Sequence, residues 1–257
     1  MSSAPITLVA GLSGSGKTTW IHQRLSEQTS AVYLALGAEA SIDDSYLSIE
    51  FPALQVLHKS PELPVARTVL EQVAAGLNVY IEIGFHIDLN LLQLPFATDL
   101  CQRVALVPPN HQEPSFVDWA DEVLLGEDFY GVSEVDHLWR SALTGQILDP
   151  ASLDTFWYEL IQGAYGLVDR AKGIFDLVDG QAFYFNYVKG FPKTQYVELK
   201  LPRWAEGRPT RFSGMEVVGA GLDPAGIAAT LTHCGLEDAA IAHYQAQIKE
   251  SLGEKAA

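Results

Sequence analysis

One short segment near the start of the chain constrains the fold more than any other feature. The segment Gly11-Leu-Ser-Gly-Ser-Gly-Lys17-Thr18 matches the pattern Gly-x-x-x-x-Gly-Lys-Ser/Thr in full. It follows an apolar run at 6–10 that predicts a strand, and it precedes a predicted helix at 16–27. Such a loop surrounds phosphate oxygens with backbone N–H groups at the positive end of a helix. The segment therefore predicts a phosphate-binding loop, or P-loop.

The P-loop pattern assigns roles to individual side chains. Lys17 is expected to reach the β and γ phosphates of a nucleotide, GTP or ATP, and the Thr18 hydroxyl is expected to bind Mg²⁺. The alternative is a relic loop that keeps the pattern but no longer binds. The residues predicted to contact the nucleotide are Gly11, Ser13, Gly14, Ser15, Gly16, Lys17, Thr18 and Thr19.

Short apolar strands alternate with helices over the first half of the chain. This alternation predicts an α/β domain with a mainly parallel sheet. Further strands are predicted at Ala31–Leu36, Leu54–His58, Asn78–Ile83, Arg103–Val107 and Glu122–Leu125, with a helix at Val65–Ala75.

The pattern changes after about residue 130, where alternating strands and segregated helices predict a smaller α+β domain. A Gly- and Pro-containing connection at 144–150 places the boundary between residues 148 and 149, so the predicted domains are 1–148 and 149–257. The predicted helices are Ser152–Leu167, Asp223–Thr232 and Leu236–Leu252, and the strands are Gly173–Leu177, Ala182–Val188, Gln195–Leu201 and Arg211–Val218.

The charge of the chain argues against nucleic acid as a partner. The 257 residues include 32 Asp+Glu and 16 Lys+Arg, for a formal net charge of −16. Binding to a phosphate backbone needs clustered basic residues. Residues 1–139 hold only Lys17, Arg24, Lys59, Arg67 and Arg103 as Lys or Arg. A bound phosphate must therefore be held largely by backbone N–H groups.

Composition also bears on the compartment. Cys101 and Cys234 are the only cysteines, so a disulfide framework is not supported. No apolar run approaches the roughly 20 residues that span a bilayer, and the N-terminus lacks the pattern of a secretory signal. We expect a cytoplasmic protein with no membrane partner.

Three segments of the chain stand in the order in which a known family has similar motifs. They are the opening run at 6–19, the run Asp169-Arg-Ala-Lys-Gly-Ile-Phe175 and the run Arg211-Phe-Ser-Gly-Met-Glu-Val-Val-Gly-Ala-Gly-Leu-Asp223. Through these segments the chain resembles CobW-type P-loop GTPases, a family of proposed metal chaperones. The resemblance implies a nucleotide-dependent switch that acts on a client protein. It also implies a C-terminal α+β domain of the family type, and it leaves a homodimer open.

The resemblance assigns further site residues. Asn78–Gly84 is similar to the family's second nucleotide motif, in which Glu82 would support Mg²⁺ and Gly84 would donate its N–H to the γ phosphate. A carboxylate that merely caps the strand is the alternative for Glu82. Ile83 stands where the family usually has a hydroxyl residue. Asp43 and Asp44 lie where a first switch loop is expected.

Two family hallmarks are missing. The Cys-x-Cys-Cys metal site has no counterpart, because residues 30–78 contain no cysteine. His58, His86 and Glu82 could replace it, although the histidines show no ligand spacing. The base-reading Asn-Lys-x-Asp motif is also absent, and a one-residue deletion would place Asp128 at its aspartate. An acidic turn is the alternative there.

Three functions remain open from the sequence. The first is a slow Mg²⁺-dependent NTPase, with Lys17 and Glu82 as its catalytic residues. The second is a nucleotide-binding assembly or scaffold protein without useful hydrolysis. The third is a P-loop small-molecule kinase, which the lack of Lys and Arg over 104–139 disfavours, because such kinases commonly place several arginines around the transferred group.

Overall fold

The computed structural model describes residues 5–37, 42–58, 65–126, 128, 137–191 and 193–255. The chain divides into two compact units, Met1–Phe129 and Tyr130–Ala257. Within the described part, no helix is both long and apolar enough to cross a bilayer.

The first unit is built on a six-stranded sheet in the order β3-β2-β4-β1-β5-β6, and every neighbouring pair is parallel. This arrangement confirms the predicted α/β class with a parallel sheet. Its elements are β1 (Ile6–Gly11), α1 (Lys17–Ser26), β2 (Ala31–Leu36), α2 (Ile42–Glu50), β3 (Leu54–Leu57), α3 (Val65–Ala74), β4 (Val79–Ile83), β5 (Cys101–Val107), α4 (Pro114–Trp119) and β6 (Glu122–Leu125).

The side chains of the central strand β1 alternate between two apolar cores. Leu8 packs on one face of the sheet in a core that includes Phe116 of α4. Val9 packs on the other face with Ile21 of α1. Burial on both faces explains why the strands of this sheet are nearly continuous apolar runs rather than alternating ones.

Two helices of the first unit were not predicted. The helix α4 has only six residues, which is too short for a clear apolar periodicity. The helix α2 corrects the predicted switch loop, because Asp43 and Asp44 lie in its first turn. Acidic residues are stabilised there by the positive end of the helix.

The second unit is built on a five-stranded antiparallel sheet in the order β10-β9-β8-β11-β7. One core joins this sheet to helices α5 and α6 through Trp157, Phe175, Met215 and Ile227. The elements of the unit are β7 (His137–Ala142), α5 (Pro150–Ile161), β8 (Leu167–Asp176), β9 (Ala182–Val188), β10 (Gln195–Glu198), β11 (Gly214–Ala220), α6 (Pro224–His233) and α7 (Asp238–Lys255).

Helices α5 and α6 both begin with an Asp-Pro pair. Asp149 accepts a hydrogen bond from the Ser152 N–H, and Asp223 accepts one from the Gly226 N–H. Both caps satisfy an orphan donor of the first helical turn. The helix predicted at Ser152–Leu167 is too long at its C-terminal end, because Gly163 and Gly166 adopt positive φ angles and β8 begins at Leu167.

The boundary between the units differs from the predicted one at residues 148 and 149. The units divide after Phe129 instead. The reason is β7, which pairs with β11 in the second sheet. This strand was not predicted, since its partner lies far along the chain.

Candidate functional site

The P-loop leaves the carboxyl end of β1 and turns tightly into α1. A Cβ atom on Gly11 would lie 2.5 Å from Ser15 Oγ and 2.6 Å from the Leu106 carbonyl oxygen, so only glycine fits there. Gly14 and Gly16 have φ angles of 82° and 93°, in the left-handed region that favours glycine. The pattern of glycines therefore matches the backbone path of the loop.

Ser15 lies inside the loop and is only 2% exposed. Its Oγ has no hydrogen-bond partner among the described residues. A buried hydroxyl in this state costs about 1–3 kcal/mol. A phosphate oxygen within the loop would accept a hydrogen bond from this hydroxyl. The unpaired Ser15 Oγ therefore indicates that the loop fits an anion.

Lys17 is buried at the first position of α1, with 5% of its surface exposed. Its Nζ donates to the carbonyl oxygens of Gly11 and Leu12, at 2.9 Å each. The ammonium group therefore bridges the start of the loop. Gly16, which has no side chain for capping, precedes the helix, so the positive end of α1 faces the loop.

Thr18 contacts the acidic residue of β4. Its Oγ1 lies 3.3 and 3.2 Å from the two carboxylate oxygens of Glu82. The structure thus brings together the two residues that were predicted to serve Mg²⁺. Hydroxyl and carboxylate oxygens are the hard ligands that Mg²⁺ prefers, and it usually completes its shell with water and substrate phosphates.

Tyr33 is a site residue that the sequence did not indicate. Its hydroxyl donates to Glu82 Oε2 at 3.0 Å, and the side chain is fully buried. Burial and then the charges of Glu82, Asp43 and Asp44 hold the pKa of the phenol well above its usual value of 10. The contact depends on the pairing of β2 with β4, which places Ala35 opposite Glu82, and single-sequence patterns do not give that pairing.

Asp43 and Asp44 are buried, at 5% and 6% exposure. They lie close enough to Tyr33 to raise its pKa together with Glu82. Asp44 Oδ2 lies 3.7 Å from Nδ1 of His58, whose side chain is 57% exposed. The buried phenol therefore contacts the Glu82 carboxylate and also feels the charges of Asp43 and Asp44.

The N–H of Gly84, predicted to donate to the γ phosphate, has a backbone partner in this structure, and its role toward nucleotide stays a prediction. Gly84 donates this N–H to the Leu36 carbonyl oxygen at 2.9 Å, and not toward the P-loop. The His86 ring packs against it, since a Cβ on Gly84 would lie 2.8 Å from His86 Cε1. Ile83 is buried in the core of the sheet, at 1% exposure, so its position offers no polar group to the site.

The end of β6 approaches the P-loop at a glycine. A Cβ on Gly126 would lie 2.5 Å from the Ser15 carbonyl oxygen. Asp128, the predicted base-reading residue, follows and is exposed. Ser13 is half-buried in the loop and Thr19 is exposed on α1. The roles of these three residues remain predictions.

The described part of the chain contains no cluster of His, Cys, Asp and Glu side chains of the kind that binds a metal ion. No group of three or more His, Cys, Asp or Glu side chains there could hold a metal ion by itself. His58 lies beside Asp44, whereas His86 packs against Gly84 and Gly37. Replacement of the family's cysteine site by these histidines has no support in this geometry.

Comparisons with known proteins give a distant likeness. No family model matches the chain, and no curated protein matches it. A solved structure of the Zn(II)-bound YjiA GTPase from E. coli is similar, with 16% identity over 91% of this chain and 99% of that one, at a TM-score of 0.32. A Zn(II)-bound triple mutant of YjiA gives 15% identity, the same coverage and the same TM-score. Likeness at this level carries no functional argument.

Proposed function

We propose that this chain binds a nucleoside triphosphate, GTP or ATP, with Mg²⁺ at the P-loop and acts as a slow nucleotide-dependent switch on a client protein. The observation that carries the proposal is the interior of the loop. The unsatisfied Ser15 hydroxyl and the buried Lys17 ammonium lie there, at the start of α1. Both are donors, and both suit the oxygens of a phosphate chain.

Backbone and side-chain groups of the P-loop would contact different parts of the triphosphate. Backbone N–H groups of the loop and the positive end of α1 would hold the phosphates. Lys17 would exchange its carbonyl partners, Gly11 and Leu12, for β and γ phosphate oxygens. The exchange needs little movement of the backbone, since the ammonium already lies at the loop.

Thr18 and Glu82 fit Mg²⁺, which would neutralise charge on the β and γ phosphates when bound. The surroundings make this neutralisation necessary. Glu82 contacts Thr18 directly after the P-loop lysine, so its negative charge would repel a bare triphosphate there. Binding is therefore expected to depend strongly on Mg²⁺.

Hydrolysis by the isolated chain is expected to be slow. An arginine at the γ phosphate contributes about 10³ to 10⁵ in rate in related reactions. Arg24, the next arginine after the loop, instead lies over the Trp20 ring and pairs with Glu27. A client protein or a second copy of the chain would supply the missing group. We expect turnover at least two orders of magnitude below about 1 per second, and a rate near 1 per second that is lost in Glu82→Gln would contradict this.

A scaffold protein that binds nucleotide without useful hydrolysis is the second candidate. The contact that favours it is the hydrogen bond from the Gly84 N–H to the Leu36 carbonyl oxygen. A switch would have to release that N–H for the γ phosphate on binding a triphosphate, whereas a scaffold could keep the hydrogen bond. Single-turnover hydrolysis with an excess of protein separates the two, because a scaffold leaves the triphosphate intact.

The experiment that tests binding is a calorimetric titration of the chain with GTP, ATP and their diphosphates, with and without Mg²⁺. We expect one site for a triphosphate, with affinity that falls sharply in EDTA. Absence of binding to every nucleotide at millimolar concentration would contradict the proposal. The same titration reports the preference between guanine and adenine.

A further inference from the structure

The geometry points to Tyr33 as a positioning residue: we propose that its hydroxyl fixes the Glu82 carboxylate in the orientation that receives Mg²⁺ with the nucleotide. The inference rests on the proposed function. It concerns a residue on another strand that belongs neither to the P-loop pattern nor to the motif that contains Glu82. Its basis is the hydrogen bond of 3.0 Å from Tyr33 to Glu82 Oε2.

Two donors from different elements hold the carboxylate. Thr18, at the start of α1, reaches both oxygens of Glu82, and Tyr33, on β2, reaches Oε2. Glutamate has three rotatable side-chain bonds, and ordering such a side chain costs on the order of 1–2 kcal/mol. A hydrogen bond to a charged acceptor compensates this cost and selects one rotamer. If Mg²⁺ engages Thr18, the Tyr33 hydroxyl can continue to donate to Glu82.

The Tyr33 ring is itself fixed by packing. It lies fully buried in the core formed with Val9, Ile21 and Leu47. A phenol that is removed from water must donate a hydrogen bond to a neighbouring acceptor, because an unmade hydrogen bond costs free energy. Packing in the core thus sets the direction of the Tyr33 O–H group, and the Glu82 carboxylate accepts its hydrogen bond.

The next strand supplies a matched control. Tyr80 on β4 is the register partner of Tyr33 and is also buried, at 6% exposure. Its hydroxyl pairs with the side-chain amide of Gln28, and not with Glu82. Tyr33→Phe and Tyr80→Phe therefore delete the same atom from the same core, and only the first deletion touches the site.

The test compares triphosphate affinity in Mg²⁺ and in EDTA for the wild type and the two Phe variants, with thermal unfolding as a check on folding. The Mg²⁺-dependent gain in affinity is expected to fall about tenfold in Tyr33→Phe, which is what loss of one charge-assisted hydrogen bond gives. Affinity in EDTA is expected to stay within about twofold, and Tyr80→Phe is expected to behave as the wild type.

A double-mutant cycle with Glu82→Gln sharpens the test. If Tyr33 acts through Glu82, the double variant should lose no more of the Mg²⁺-dependent gain than Glu82→Gln alone. Additive losses would overturn the inference. So would an unchanged gain in Tyr33→Phe, or an equal loss in Mg²⁺ and in EDTA, which indicates a purely structural role. Failure of the wild type to bind any nucleotide would instead overturn the proposed function.

Discussion

Carboxylates of the two units have different hydrogen-bond partners. In the second unit, Glu216 is held between Lys172 and Arg140, at 3.1 and 2.6 Å. In the first unit, Glu82 accepts from two hydroxyl groups, those of Thr18 and Tyr33. A carboxylate between two cations is neutralised by the protein itself. Glu82 accepts from Thr18 at the P-loop, whose hydroxyl also suits Mg²⁺, so we expect a structural role for the Glu216 cluster and a binding role for Glu82.

The pKa of Glu216 reflects its two cationic partners. Burial alone would raise the pKa of Glu216, but Lys172 and Arg140 outweigh it and lower the pKa from 4.5 to about 2. The folded state thus holds this carboxylate ionised more strongly than the unfolded chain does. The stability that results is present above about pH 5 and is lost as the pH falls toward 2.

The largest effect on ligand binding is expected from Lys17→Ala. The P-loop ammonium is removed while the acidic residues nearby remain, so triphosphate affinity should fall by at least about a hundredfold. Arg24→Ala on the same helix is the matched control, because Arg24 pairs with Glu27. Equal affinity of Lys17→Ala and the wild type in fluorescence titrations would contradict nucleotide binding at the P-loop.

Glu216→Gln should affect the other unit alone. Lys172 would stay buried without its carboxylate, and such losses cost on the order of 3 kcal/mol in the free energy of unfolding. The destabilisation should be seen at pH 7 by amide hydrogen exchange in β8 and β11, and should shrink toward pH 2, where wild-type Glu216 also becomes protonated. A change in nucleotide affinity in Glu216→Gln would contradict a purely structural role for the Glu216 cluster.

A smaller effect is expected from Gly126→Ala. The new Cβ would lie 2.5 Å from the Ser15 carbonyl oxygen, so the P-loop must shift and its N–H groups lose alignment with phosphate. Triphosphate affinity should fall about tenfold. Gly253→Ala, in α7, is the control, since nothing lies within 4 Å of its Cβ. If Gly126→Ala binds the triphosphate as tightly as the control, the end of β6 does not contribute to the nucleotide site.

The smallest effect is expected from Asp128→Ala. The chain lacks the asparagine and lysine of the base-reading motif, and one exposed carboxylate contributes little discrimination. Preference for GTP over ATP should be below about a hundredfold and should barely change in the variant, with Asp118→Ala as the acidic control. A thousandfold preference that disappears in Asp128→Ala would assign base reading to this residue.

The sequence predicted what local patterns determine. Glycines and a lysine at fixed spacing give the P-loop, and apolar runs give the parallel sheet. It did not predict β7, whose partner β11 lies far along the chain. It also did not predict the contact of Tyr33 with Glu82, because that contact requires the order of β2 and β4 in the sheet. From sequence alone, a tyrosine within an apolar strand cannot be distinguished from an ordinary core residue, because its neighbour on the next strand is unknown.

The acidic residues show the same limit. The resemblance to a known family places Asp43 and Asp44 where a first switch loop is expected. They lie instead in the first turn of α2, buried beside Tyr33. Stabilisation by the helix end and desolvation against the core both depend on tertiary structure, which polarity alone does not reveal.

The most direct test of the central claim is amide hydrogen exchange on the whole chain, with and without Mg²⁺ and a triphosphate. The account predicts protection over 11–20 and 80–84, where the P-loop, the start of α1 and Glu82 lie, and no change over β8 and β11. Protection confined to the second unit, or no protection anywhere at saturating nucleotide, would contradict it.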